Sequence, residues 1–172
     1  MPTVYLSPSL QEYNPYVNGG NEEYYMNLIA DEMVPILENA GITVIRNNPS
    51  MTLGQAVANS NENDVDIHLA IHSNAAAPSN AGNAKGADFY YYSTSSRAKR
   101  IAEIMAENYR KIYPYNVQVL PTTRLYEVRR TKAPAVLVEV AYHDNVEEAN
   151  WIRENIDNIA QNLADSLIQI LL

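Results

Sequence analysis

The 172-residue chain contains no cysteine. Disulfides, thiolate metal sites and cysteine nucleophiles are therefore excluded, and the absence suits an extracellular life. It has 12 Lys and Arg against 20 Asp and Glu, for a net charge of −8. No basic block stands out, which argues against nucleic acid or an anionic membrane surface as partner. No window approaches the roughly 18 consecutive apolar residues that a membrane span requires. There is no internal repeat and no linker. Met1-Pro2-Thr3-Val4 runs straight into a strand without a signal peptide. The expectation is an exit route other than secretion through a leader, or a domain cut from a longer chain.

What is present suits one compact domain over residues 1–172, with 47% hydrophobic residues to build a core. Val4-Tyr5-Leu6 reads as a strand ended by Ser7-Pro8-Ser9. After a polar loop, Asn21 is an N-cap with Glu22 and Glu23 in the first helical turn. That helix carries Met26, Ile29, Met33, Ile36 and Leu37 at helical spacing. Pro35 conflicts with it, and Gly41 is a natural stop. Ile42-Thr43-Val44-Ile45 is a second strand, Leu53 to Asn61 a short helix, and Val65 to Ile71 a buried strand. Ala75 to Gly86 is a loop and Ala87 to Tyr92 a strand. The Ser93–Ser96 segment caps a helix with Ala98, Ile101, Met105 and Tyr109 inward. Val117-Gln118-Val119 is at most a short extended piece. Ala135 to Ala141 is a central strand, and the tail after Asn145 is helical. Strands alternating with helices predict an α/β domain, a mostly parallel twisted sheet with helices on both faces.

Two residues break the apolar pattern. His72 follows the run Ile67-His68-Leu69-Ala70-Ile71, at the strand end where open α/β sheets bind ligands. It is a candidate metal ligand; the plainer reading is a hydrogen-bonded ring. Glu139 lies between Val138 and Val140 in an otherwise buried strand. Burial raises a carboxylate's pKa toward the range a general base needs; an ion pair with Arg129 or Arg130 is the plainer reading. His68 sits about 13 Å along the strand from His72 and cannot share a metal with it. His143 shares the face of Glu139 if the strand continues that far.

In order, Gly20-Asn21-Glu22-Glu23, Ile71-His72-Ser73-Asn74-Ala75, Lys85-Gly86-Ala87-Asp88, Leu125-Tyr126-Glu127-Val128-Arg129 and Pro134-Ala135-Val136-Leu137-Val138-Glu139 span the chain. Together they resemble the zinc-dependent N-acetylmuramoyl-L-alanine amidases of the type 3 family. The resemblance implies one Zn2+ ion held by Glu23 and His72, with Glu139 as catalytic base and Arg129 orienting Glu139 or holding substrate. Asn74 and His143 are the implied substrate contacts. It also implies cleavage of the amide between N-acetylmuramic acid and L-Ala in peptidoglycan, at the cell wall. A wall-binding module would lie on a longer parent chain. The family's first zinc histidine has no counterpart: Leu10 stands there, and Gln11, Glu12 and His143 remain as candidates for the third ligand. Two other readings stay open, a metal-less peptidoglycan-binding or regulatory module and a zinc peptidase acting on wall peptides.

Overall fold

The computed structural model describes residues 1–172. Six strands form one sheet in the order β2-β1-β3-β6-β4-β5. They are β1 (Thr3–Pro8), β2 (Thr43–Arg46), β3 (Ile67–Asn74), β4 (Ala87–Tyr92), β5 (Val117–Thr122) and β6 (Ala135–Tyr142). Every adjacent pair is parallel except β4 with β6. The helices are α1 (Glu22–Asn39), α2 (Leu53–Glu62), α3 (Ser96–Tyr109), α4 (Tyr126–Arg130), α5 (Val146–Glu154) and α6 (Ile156–Leu171). The expected α/β architecture is present. No helix is long and apolar enough to cross a membrane.

The sheet divides its two faces unequally because side chains alternate along each strand. Ile67, Leu69 and Ile71 of β3, with Val136, Val138 and Val140 of β6, join a core of 34 buried residues under α1, α3, α5 and α6. The opposite face holds an apolar cluster of only four, Ala70, Val128, Ala135 and Leu137. Beneath α2 and α4 the rest of that face is polar. His68 is fully buried and stacks on Tyr5 with ring centroids 5.1 Å apart. Its Nδ1 lies 2.9 Å from Ser60 Oγ of α2, and its Nε2 lies 2.6 Å from Glu127 Oε2 of α4. One ring therefore links two helices to the sheet.

Several boundaries differ from those read in the sequence. Val117 begins a full six-residue strand, because β5 pairs along its whole length with β4 and so needs little apolar character of its own. The five-residue α4 is too short to show a period. The C-terminal tail is two helices broken at Asn155. Asn21 caps α1 by accepting from the Tyr24 amide, and Gly41 follows the helix with φ +88°.

Pro35 lies inside α1 without ending it. Its ring removes the bond that would reach the carbonyl of Asp31, and both residues are exposed. Pro35→Ala is expected to raise stability by about 1–3 kcal/mol, read as a higher urea midpoint at unchanged slope. His68→Leu should cost roughly 3–5 kcal/mol in the same measurement, because it strips a buried carboxylate of its donor. A loss under 1 kcal/mol would show that Glu127 finds another partner.

Candidate functional site

Parallel strands β1, β3 and β6 all end at one edge, and a cleft of about 550 Å³ opens there. Its lining includes Gln11 and Asn14 from the first loop, Glu22 of α1, His72 and Asn74 of β3, Glu127 of α4, and Glu139 and His143 from β6 and its end. His72 and Glu139 are register partners on adjacent strands and share the sparsely covered face. The topology alone puts an imidazole beside a carboxylate at a strand-end opening.

Glu22 reaches this point from the start of α1. Its Oε2 lies 2.9 Å from His72 Nδ1, and its Oε1 accepts from Asn14 Nδ2 at 3.0 Å. Burial alone would raise its pKa; His72, Ser9 and Asn14 together hold it below the usual carboxylate range. Glu23, the expected ligand, does not line the cleft. Successive helical residues point about 100° apart. The buried side of α1 runs Glu22, Met26, Ile29, Met33. The helical spacing of those methionines and isoleucine already pointed to Glu22, whereas spacing matched to the family motif selected its neighbour.

Around His72 the charges are tightly arranged. Burial opposes the charged ring, yet the carboxylates of Glu127 and Glu22 raise its pKa well above the ordinary value. Glu127 is held down to about 2 against its burial by His68 and His72. Glu139 moves the other way: burial, with the charges of Glu22 and Asp88, pushes its carboxyl up to about 8, and His72 only partly offsets this. Among the buried polar atoms without a hydrogen-bond partner are two on residues that line this cleft, His72 Nε2 and Glu139 Oε2.

The other expected residues fall into place unevenly. Arg129 is exposed and lines a separate cavity with Arg97 and Lys132, on the far side of α4 from Glu127. It neither orients Glu139 nor reaches the cleft; helical phase on a five-residue helix turns it outward. Glu12 is exposed and outside the cleft, while Gln11 lines it and accepts from the same Asn14 amide that serves Glu22. His143 is buried, stacked on Tyr16, and its Nδ1 lies 2.9 Å from Ser73 Oγ, which itself accepts from Tyr16. That nitrogen is 4.0 Å from Glu22 Oε1 and already occupied, so His143 lines the cleft without joining the Glu22–His72 pair. Asn74 lines the cleft and accepts from the Ala75 amide. Glu127 was not singled out by the sequence. The signal available was two histidines on one strand face with no acid assigned to them.

The donor set suits a divalent cation. Three carboxylates, Glu22, Glu127 and Glu139, surround one imidazole, and two of the buried polar atoms without a partner, His72 Nε2 and Glu139 Oε2, belong to that group. A carboxylate oxygen 2.9 Å from an imidazole nitrogen is close to the spacing of two ligands on one zinc. No three His, Cys, Asp or Glu side chains converge on a common point. Gln11 is a neutral side chain tied to the Glu22 cluster through Asn14.

LytC of Bacillus subtilis (strain 168), an N-acetylmuramoyl-L-alanine amidase, is 25% identical over 145 residues, which is 82% of this chain and 27% of that protein. The chain thus spans about a quarter of the length of this curated relative. Among solved structures, amidase AmiC2 of Nostoc punctiforme superposes with a TM-score of 0.85 at 20% identity, covering 99% of this chain and 97% of the other. The catalytic domain of CwlV from Bacillus (Paenibacillus) polymyxa var. colistinus gives 0.84 at 20% identity, covering 99% and 98%. Both show a shared fold. The sequence pattern of the family described as N-acetylmuramoyl-L-alanine amidase matches residues 11–169, nearly the whole chain. The chain belongs to the N-acetylmuramoyl-L-alanine amidase family.

Proposed function

We propose that this chain is the catalytic domain of a zinc-dependent peptidoglycan amidase. It hydrolyses the amide between the lactyl group of N-acetylmuramic acid and the L-Ala that begins the stem peptide. The observation that carries the reading is Glu22 paired with His72 at 2.9 Å, with Glu139 in register beside them in one strand-end cleft. Glu22 and His72 hold one zinc ion, and Gln11 is the first-loop donor. When bound, zinc supplies Lewis acidity at the scissile carbonyl and at the attacking water.

The rest is work for the chain's own side chains. Glu139, with one buried oxygen unpartnered, takes the proton of the attacking water as its oxygen bonds to the carbonyl carbon. It returns that proton to the leaving L-Ala nitrogen when the C–N bond breaks, so the carboxylate is regenerated. Asn74 keeps its side-chain amide N–H groups for substrate, since its oxygen is the atom engaged locally. Tyr13 and Tyr126, 74% and 38% exposed at the rim, suit the apolar faces of sugar rings. His143 forms part of the floor. The site of action is the cell wall, and a wall-binding module belongs to a longer parent protein.

A metal-less wall-binding module is the second reading, and one observation favours it: Leu10 lines the cleft where the family resemblance asks for a histidine. Zinc content separates the two. Purified protein should carry about one zinc per chain. Glu22→Ala should abolish zinc binding while Glu23→Ala retains it; the reverse result would restore Glu23 as ligand. Gln11→Ala should weaken zinc binding and Glu12→Ala should not. Zinc-free protein that still binds walls would support the module. Glu139→Gln should keep its zinc and lose at least about 100-fold in turnover. Turnover is followed as new L-Ala amino termini from digested peptidoglycan; free amino acids in that digest would indicate a peptidase instead.

A further inference from the structure

Glu127 has no role in the reaction derived so far, yet it is 4% exposed and stands against the key imidazole. Its Oε1 lies 3.6 Å from His72 Nε2, the buried nitrogen that has no hydrogen-bond partner. Its Oε2 is fixed by His68 Nε2 at 2.6 Å. His68 in turn is fixed by Ser60 and by the flat stack on Tyr5. The carboxylate is therefore held from behind by the folded scaffold and presents one free oxygen forward. Glu22 and Glu127 flank the His72 ring on its two different nitrogens. One metal ion cannot use both nitrogens of one ring, so the two carboxylates have different roles. Glu22 shares the Nδ1 edge with Asn14 and the first loop, where the cleft opens. Glu127 shares the Nε2 edge with the buried His68 and α2. Histidines that bind metal characteristically give their other ring N–H to a carboxylate, which fixes the tautomer and the ring orientation.

We infer that Glu127, braced by His68, is a positioning residue that keeps the His72 proton on Nε2 and so leaves Nδ1, beside Glu22, as the metal-binding atom. The inference rests on the zinc reading above. It gives the second histidine of β3 a function at a distance too great for direct ligation. It also accounts for a buried acid on a helix of only five residues.

The test uses the intact chain and compares wild type, Glu127→Ala, Glu127→Gln and Glu22→Ala, each checked for folding by circular dichroism. Zinc affinity is measured by competition with a chelator. Glu127→Ala is expected to lower it about 10–100-fold, and Glu127→Gln, which keeps an acceptor oxygen, to recover most of that loss. Cobalt(II) replacing zinc should give the same absorption bands in wild type and Glu127→Ala, because the coordinating atoms are unchanged. In the metal-free protein, at a pH where the His72 ring is neutral, the nitrogen-15 shift of Nε2 should read protonated in wild type and unprotonated in Glu127→Ala. Unchanged zinc affinity in Glu127→Ala would overturn the inference. So would metal loss as complete as in Glu22→Ala, or an altered cobalt spectrum, since either would make Glu127 a ligand. A wild-type chain that binds no zinc would sink the zinc reading, and the nitrogen shift would still uphold or overturn Glu127's hold on His72.

Discussion

Three carboxylates share a small buried volume around His72, and the rest of the site is arranged to permit it. Isolated buried charges of one sign are costly, and proteins neutralise them, pair them or place a cation among them. Each acid here has a different solution. Glu22 has His72, Asn14 and Ser9. Glu127 has two histidines. Glu139 has no such donors and faces Asp88 across the antiparallel pair, so its proton is retained more readily than theirs. Separation of acids by environment is what lets one cleft contain both permanent anions and a group that exchanges a proton near neutrality.

Much of this was legible in the chain. The alternation of strands and helices, the strand-end position of His72 and the misplaced polarity of Glu139 all follow from periodicity, and periodicity survives folding. The rest is hidden where the periodic element is short or where two neighbouring residues carry the same side chain. Glu22 and Glu23 are adjacent, and a spacing motif cannot choose between neighbours; the apolar side of α1 can. Arg129 and Glu127 lie two residues apart on one turn, and a five-residue helix offers no pattern to say which faces inward. The strand β5 was underestimated because edge strands are held by main-chain pairing, which leaves little trace in side-chain type.

The loop between β3 and β4 shows the same limit. Residues 75–86 read only as a loop from composition, yet the structure ties them down. Asp144 Oδ2 accepts from the amides of Ala76 and Gly82, and Asn145 Nδ2 donates to the Gly82 carbonyl. Glu148 accepts from the Gly86 amide and from the Tyr113 hydroxyl. Asp144, Asn145 and Glu148 lie after β6, and Tyr113 lies between α3 and β5. The cleft wall beside Asn74 is therefore set by residues about sixty positions further along, which no local reading of the loop contains.

The position of β6 has a consequence for how the chain comes to be. Last of the strands in sequence, it lies between β3 and β4 in the sheet. A growing polypeptide that has not yet made β6 consists of two separate ribbons, β2-β1-β3 and β4-β5, each with an open hydrogen-bonding edge. Such edges invite pairing with other chains, so the nascent domain is vulnerable during synthesis and has a strong drive to close once β6 arrives. Closure brings Glu139 to His72 in the same event. A chain cut short of β6 would lack both the strand that completes the sheet and Glu139, the acid that the proposed reaction needs.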